Sequence, residues 1–373
     1  MKKIATLLLL LLFITTAFTQ NGAPANPYYN GFNWNLTGND LKDALTTKIT
    51  STHTKELTYS QAENALRFTD LDPADATNTN VLLVYGYSQN ICLYVDNTDF
   101  GTSADGTFHR SRNKNADVVS INQCAWNREH IFAQGLAIPQ LGQIGPGADA
   151  HMLRTCDVDR NSARGNRLYV SGTGNSGNVG THWYPGDEWK GDVARIIMYM
   201  YLHYGTQCLP TYVAVGTPVA SDANMLDLLL QWNAEDPASL YEDRRNTYLG
   251  NASNNFGQGN RNPFIDNPYL ATVIWGGPIA QNRWPTIFLE TSTFELANAV
   301  SVYPNPSSGV VNITSTISLE KIDVITINGQ LVQQIKNPII NSNTYTISNL
   351  PKGFYFLKLS SASYSFTKKV LIN

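Results

Sequence analysis

Between Cys124 and Asn166 the chain carries two dense polar clusters, Asn127-Arg128-Glu129-His130 and Arg160-Asn161-Ser162-Ala163-Arg164-Gly165-Asn166, joined by a Gly- and Pro-containing crossing. Neither cluster has the periodicity of a solvated helix face. Both consist of residue types that belong on a surface or in a site. Neighbours on a regular strand point to opposite faces. If Glu129 and His130 serve one site, the backbone there must therefore end a strand or bulge. The second cluster reads as a short helix, capped by Asp157 or Asp159, with Asn161 and Arg164 on one face at i, i+3.

These residue types define a chemistry. An imidazole such as His130 is mostly neutral at pH 7 and can take a proton from water. Glu129 could ligate a metal or merely orient His130. The Asn161 carbonyl is a weak, neutral ligand suited to a hard cation such as Mg²⁺, with Mn²⁺ or Ca²⁺ as alternatives. Arg164 could hold a phosphate through a charge-assisted fork. The plainer alternative has Asn161 capping a turn and Arg164 paired with Asp157. Taken together, a base, oxygen ligands and a cation are the parts that phosphodiester hydrolysis requires.

The 373 residues suggest two domains, and 11% aromatic content is too high for a disordered chain. A net charge of -3 offers no global attraction to nucleic acid. From Arg110 to Arg167, however, eight Lys and Arg face five Asp and Glu, a local excess of +3. A basic cleft of that kind would give modest, salt-sensitive binding through phosphates. Residues 1–19 (MKKIATLLLLLLFITTAFT) read as a secretory signal, and no later segment reaches transmembrane length. Export makes disulfides possible among Cys92, Cys124, Cys156 and Cys208, whose pairing is open; a bridge at Cys124 or Cys156 would brace the motif. No CxxC spacing is present, which argues against structural zinc or a redox motif.

Along the chain, Leu41, Leu45 and Ile49 mark a helix, Tyr59–Phe68 a second short one, and Val81–Tyr85 a buried strand. Ser88–Gln123 reads as loop and edge strands, with Arg110, Arg112 and Lys114 as a solvated loop more readily than a DNA contact. Gly172-Thr173-Gly174-Asn175-Ser176-Gly177 matches G-x-G-x-x-G by letter, but the Gly, His, Trp and Pro that follow cannot open a helix, so it is a loop. Glu188–Tyr204 is the strongest helix, with an apolar stripe of Val193, Ile196, Ile197 and Met200. Arg195 lies off that stripe, free to reach a phosphate or form a surface salt bridge. Asn224–Asn233 and Tyr241–Leu249 continue the helical run, and Gln258–Asp266 is a polar turn packed back on the domain. After Leu296 come short strand-like runs separated by turn signals, including Asn328-Gly329, which suggest a small β-sandwich.

The motif NREHIF followed by D-x-H-x-L-R-T-x-D-x-x-x-N-S-x-R-G-N resembles the endonuclease I family of secreted, nonspecific nucleases, which belong to the ββα-metal group. NVLLVYGYS, KGDVARIIMYM, LLLQWNAEDP, EDRRN and QGNRNPFIDNP extend the resemblance from about Tyr28 to Tyr269. It implies an α+β architecture: a mixed α/β nuclease domain with a ββα-metal core holding one divalent metal. It also implies His130 as general base, Glu129 and Asn161 as metal ligands, and Arg164 as a catalytic cation facing the phosphate. Arg128, Arg160, Asn166 and Arg195 are the expected substrate contacts, and Asp149 and His151 structural support. Ala150 and Met152 depart from the family's D-L-H-H-L stretch. The substrates implied are DNA and often RNA, cut to 5′-phosphates.

The C-terminal SVYPNPSSGVVNI, INGQLV, LPKGFYFLKL and KKVLIN resemble the sorting domain of the type IX secretion system. The expected organisation is a signal peptide at 1–19, a catalytic domain at 20–295 and a sorting domain at 296–373. The expected protein is a secreted or surface-attached monomer that meets nucleic acid and the secretion machinery. A silent DNA-binding adhesin module and a phosphodiesterase for small substrates are the competing readings.

Overall fold

A computed structural model describes residues 23–88, 109–117, 125–288, 300–315, 319–338, 344–360 and 365–373. The expected signal peptide, Cys92, Cys124 and most of Ser88–Gln123 lie outside these residues. The chain forms two compact units, Met1–Trp284 and Pro285–Asn373. Among the described residues no helix is long and apolar enough to cross a membrane.

The first unit is mixed α/β. Helix α1 (Gly38–Thr52) buries Leu41, Leu45 and Ile49, the apolar residues at four-residue spacing. Helix α2 (Tyr59–Thr69) starts in a capping box between Thr58 and Gln61. Strands β1 (Asn80–Leu82) and β2 (Ser111–Asn113) pair antiparallel. The core motif follows: β3 (Trp126–His130) pairs antiparallel with β4 (Leu153–Asp157), which runs into α3 (Val158–Arg164). Two hairpins, β5–β6 (Gly177–Val179, His182–Tyr184) and β7–β8 (Pro218–Val219, Asp222–Leu226), flank helix α4 (Lys190–Tyr204) in sequence. Helices α5 (Asp227–Glu235), α6 (Leu240–Leu249), α7 (Pro263–Asp266) and α8 (Tyr269–Trp275) complete the unit. Gly172–Ser176 forms no helix, as expected of a loop. The helix expected from Asn224 begins only at Asp227, because Asp222–Leu226 is paired into the β7–β8 hairpin.

Helix α4 differs most from expectation. Gly191 through Leu202 are all buried, with α1, α5 and α7 packed around them. It is a central helix, not an amphipathic surface one. Arg195 is fully buried and forks onto Glu242 (Nε–Oε1 2.6 Å, Nη2–Oε2 2.9 Å), while its Nη1 donates to the Asp236 carbonyl at 2.6 Å. It reaches neither phosphate nor solvent. Its place off the apolar stripe reflects a charge paired inside the core. The Gln258–Asp266 turn is likewise interior: Gln258, Asn260, Asn262 and Asp266 are completely buried, and Asn246 of α6 ties the turn down, its Nδ2 donating to the Asn262 carbonyl (3.0 Å) and to Asp266 Oδ1 (3.0 Å).

A second polar network joins the ends of α1 and α4. Ala150 N–H donates to Gln258 Oε1 (2.6 Å), which turns Gln258 Nε2 toward Asp149 Oδ1 (3.0 Å) and His53 Nε2 (2.9 Å). His53 Nε2 therefore accepts, and His53 Nδ1 donates to His203 Nε2 at 2.8 Å. His203 Nδ1 then donates to Thr50 Oγ1 at 3.3 Å. Tyr199 and Tyr204 hydroxyls complete the shell of Asp149 (2.7 and 2.8 Å).

The second unit is a two-sheet sandwich. Strands β9 (Val300–Tyr303), β10 (Val311–Ser315) and β13 (Thr344–Ile347) form one sheet, in the order β13-β10-β9. Strands β11 (Lys321–Thr326), β12 (Leu331–Lys336), β14 (Gly353–Ser360) and β15 (Ser365–Ile372) form the other, in the order β12-β11-β14-β15. Alternate residues from both sheets, among them Ile313, Val324, Tyr345 and Leu357, share one core. The Asn328-Gly329 signal sits in the β11–β12 turn, with Gly329 at φ +81°.

Two outcomes test this interior. Arg195→Met strands Glu242 as an uncompensated buried charge, and chemical denaturation should show a loss of about 3–5 kcal/mol. Unchanged stability with reduced substrate binding would instead restore Arg195 to a surface role. Burial holds the His203 imidazole down at about 4, the neighbouring His53 acting in the same direction. Below its ordinary value of 6.5 the unfolded chain takes up a proton that the folded chain refuses until about 4, so stability falls as pH drops through that window. His203→Asn removes this contribution. The stability gap between wild type and variant should narrow by about 1–3 kcal/mol between pH 7 and 4.5. A pH-independent gap would show that His203 is not held neutral.

Candidate active site

The register of β3 on β4 pairs Glu129 with Arg154 and His130 with Leu153, which places both acidic and imidazole groups at the strand's last two positions. His130 ends the strand, and the chain then leaves the sheet through Ile131. The requirement that the strand stop at the motif is met. Arg164, the last residue of α3, secures this exit: its Nη1 donates to the His130 carbonyl (2.9 Å) and its Nη2 to the Ile131 carbonyl (3.0 Å). Helix α3 is itself oriented by Asp157, whose Oδ1 accepts the backbone N–H groups of Asp159 (2.9 Å) and Arg160 (3.1 Å). Arg112 pairs with the other oxygen of Asp157 in the interior. It is thus neither a solvated loop residue nor a nucleic-acid contact.

A cleft of about 170 Å³ opens between the end of β3 and α3, bordered by Glu129, His130, Gln134, Asn161, Arg164 and Asn166. His130 Nε2 stands 3.1 Å from the Gly147 carbonyl, which can only accept. Nε2 therefore carries the hydrogen, and Nδ1 is the basic nitrogen. Burial pushes the His130 pKa down to about 4, with Arg128 and Arg164 adding to it against the pull of the Gly147 carbonyl. The ring is neutral at pH 7 and stacked on Tyr59, with centroids 5.7 Å apart.

Glu129 is buried, and that burial raises its pKa to about 7 against the stabilising Arg164 and Tyr85. Both partners meet the same oxygen, Oε1: the Tyr85 hydroxyl donates at 3.0 Å and Arg164 Nη1 lies at 3.3 Å. Asn161 is oriented through its amide nitrogen, which donates to Asn127 Oδ1 (2.8 Å) and the Arg128 carbonyl (3.1 Å). Its carbonyl oxygen is thereby left to the cleft side. A carboxylate oxygen and a neutral amide oxygen beside one cleft form a hard donor set that fits a divalent cation such as Mg²⁺.

His53, Asp149 and His203 also have ligand atoms within 4.8 Å of one another, a spacing a metal could bridge. The hydrogen-bond polarity there opposes an ion. His53 Nδ1, which faces His203, already carries a hydrogen, and Asp149 already accepts from Gln258, Tyr199, Tyr204 and the His151 N–H. Asp149 and His151, the latter bonded to the Asn260 carbonyl at 3.0 Å, are tied into the interior away from the cleft.

The cationic residues are arranged otherwise than the sequence suggests. Arg164 borders the cleft but is only 1% exposed, and both of its Nη groups are engaged by the His130 and Ile131 carbonyls, with Nη1 also against Glu129, so it holds the motif and has no free Nη fork to offer a phosphate. Its expected plain alternative, a pair with Asp157, is also absent because Arg112 occupies that carboxylate. Arg160 is buried, with Nη2 donating to Ser176 and its head over the Trp183 ring at 4.9 Å. Arg128 lies on the Tyr59 ring at 3.6 Å, donates to the Tyr59 carbonyl (2.8 Å) and pairs with Glu63 (2.9 Å). Of the four expected substrate contacts, only Asn166 is both exposed and at the cleft. The local excess of cations is spent largely on internal carboxylates and carbonyls.

Cys156 is a buried free thiol, as is Cys208. Among the described residues no bridge braces the motif at Cys156, and Arg164 and Arg112 hold it instead. Sequence reading missed Tyr59, Tyr85 and Gly147. A tyrosine directly before a glycine at the end of the apolar run Val81–Val84 is the one signal that could have marked Tyr85.

Comparison with known proteins agrees with this geometry. Residues 37–269 match the family model of endonuclease I, and residues 301–373 match that of the secretion system C-terminal sorting domain. The chain is similar to an extracellular ribonuclease of Bacillus amyloliquefaciens, 39% identical over 249 residues, which cover 64% of this chain and 74% of that protein. It is also 35% identical over 269 residues to an extracellular ribonuclease of Bacillus subtilis (strain 168), covering 68% and 82% of the two chains. The β3–β4–α3 motif, with its imidazole and oxygen donors around one cleft, lies wholly inside the matched region. The chain therefore belongs to the endonuclease I family and is a secreted nuclease with a C-terminal sorting domain.

Proposed function

We propose that this nuclease hydrolyses internal phosphodiester bonds of DNA and RNA without base selection, with a divalent cation held by Glu129 and Asn161 and with His130 as the general base. The observation that carries the reading is the pairing of a neutral imidazole with two oxygen donors around one small cleft. The names of the two Bacillus relatives weigh RNA more heavily than the motif alone does. Mg²⁺, when bound, would supply charge neutralisation at the phosphate and its leaving oxygen.

The protein's own part is proton handling and orientation. His130 Nδ1 takes a proton from water as the water oxygen bonds to phosphorus, and the 3′-oxygen leaves, so that the product keeps a 5′-phosphate. The Gly147 carbonyl, accepting from Nε2–H, keeps the reactive nitrogen turned to the cleft and favours the imidazolium that forms. Depression of the imidazole pKa ensures that the base is unprotonated at neutral pH. Asn166 is the candidate for direct contact with the substrate backbone. Asp149 and His151 act as supports by anchoring the chain just before β4.

Full-length protein should nick supercoiled plasmid and degrade single-stranded RNA in Mg²⁺, and EDTA should abolish both. His130→Ala should lower turnover by about 10²–10⁴-fold while the protein remains folded, as circular dichroism would show. A variant with wild-type turnover would remove His130 as the base. Asn161→Ala should raise the Mg²⁺ concentration needed for half-maximal activity and lower the rate; an unchanged titration would remove it as a ligand. Binding without cleavage by the wild type would favour the silent adhesin module. Neither binding nor cleavage would favour a phosphodiesterase for small substrates.

A further inference from the structure

We infer that Tyr85 is a positioning residue whose phenol fixes the Glu129 carboxylate for metal binding, and that the backbone is held in a left-handed conformation to place it there. The inference rests on Glu129 being a metal ligand and assigns a residue outside both motif clusters.

Four non-glycine residues among those described have positive φ: Asn78, Asn337, Asn349 and Tyr85. Asparagine tolerates that region because its short amide bonds locally. A bulky aromatic does not, and such a conformation points to a constraint imposed by the surroundings. Tyr85, at φ +68°, is the third residue of a turn closed by Gly86 N–H to the Leu83 carbonyl at 3.1 Å. Glycine or asparagine normally occupies that turn position. Here the glycine comes one residue later, and its placement is also forced. A Cβ at Gly86 would stand 2.3 Å from the His109 carbonyl oxygen. Exchanging the two residues would therefore relieve the turn only by creating that clash.

What the strained residue delivers is specific. Its completely buried phenol donates to Glu129 Oε1 at 3.0 Å and lies 2.6 Å from the Tyr169 hydroxyl, which donates to the Ile131 carbonyl at 3.0 Å. The Tyr85 carbonyl is held in turn by Ser176 Oγ at 2.6 Å, and Trp183 packs edge-on against the ring at 5.5 Å. With Arg164 on the same oxygen, Tyr85 immobilises one side of the carboxylate and leaves Oε2 uninvolved in either contact. A ligand carboxylate tied through one oxygen by a neutral donor and a cation is the outer support that metal sites depend on, commonly worth about 10–100-fold in affinity or activity.

The test is metal binding without substrate. Mn²⁺ titration followed by electron paramagnetic resonance would compare full-length wild type with Tyr85→Phe, Glu129→Gln and Tyr169→Phe. The Tyr85→Phe protein keeps the ring and its packing and loses only the hydroxyl. It should bind Mn²⁺ about tenfold or more weakly. Its KM for DNA should stay near the wild-type value while half-activation by Mg²⁺ moves to higher concentration. Tyr169→Phe, which removes a buried hydroxyl of the same chain that does not touch Glu129, should shift Mn²⁺ binding less. Tight Mn²⁺ binding that Glu129→Gln abolishes and Tyr85→Phe leaves intact would overturn the inference while sparing the ligand assignment. Equal losses in Tyr85→Phe and Tyr169→Phe, in step with lowered melting temperatures, would overturn it in favour of a purely structural hydroxyl chain. Wild-type Mn²⁺ binding insensitive to Glu129→Gln would bring down the ligand assignment and the inference together.

Discussion

The buried guanidinium of Arg164 is the interaction on which the site's geometry depends. It bonds the carbonyls of His130 and Ile131 and lies against Glu129, so one group fixes where β3 ends, how α3 meets it, and the charge beside the proposed ligand. Desolvating a guanidinium is costly unless its donors are satisfied. Here the acceptors are backbone carbonyls that would themselves be orphaned where the strand stops. The two Nη groups of the cation and the carbonyls of the strand end satisfy one another. That reciprocity lets adjacent residues, which a continued strand would turn to opposite faces, border one cleft.

Similar pairings hold β4 from behind. Asp70, at the end of α2, accepts from the Thr155 backbone at 2.8 Å and pairs with Arg245, which also donates to the carbonyls of Ala150 and Leu153. Arg154 reaches from β4 to Asp192 on the central helix at 2.9 Å. The motif is thus gripped by charged groups from α2, α4 and α6, and a shift of any one would leave a buried charge uncompensated. Rigid support of this kind suits a site whose proposed base and ligands must hold their orientation before substrate arrives.

Charge also explains where the substrate contacts diverged from expectation. A count of Lys and Arg along the motif gives a basic patch, but Arg112, Arg154, Arg160 and Arg164 are all buried. Their charges answer Asp157, Asp192, Glu129 and backbone carbonyls in place of a polyanion. Sequence counting treats every cation as available to solvent. Burial decides otherwise, and the one cation bordering the cleft among the described residues, Arg164, has both Nη groups committed to the end of β3.

Much was legible from the sequence. Local rules located α1 from Leu41, Leu45 and Ile49, the cap of α3 at Asp157 or Asp159, the β11–β12 turn from Asn328-Gly329 and the sandwich from short strands separated by turn signals. In each case neighbours within a few residues determine the outcome. The pairing of Glu129 and His130 with Asn161 was legible because motif spacing carries it. Only the tertiary structure decided the fate of Arg195, Arg164 and Tyr85, since each depends on partners far along the chain: Glu242, the end of β3, and Glu129 with Ser176. The sequence determined which chemical groups were present and which short segments would order. The packed interior decided which charges stay inside, which oxygen faces the cleft and which residue carries backbone strain, because desolvation and hydrogen-bond satisfaction are settled only among groups that folding brings together.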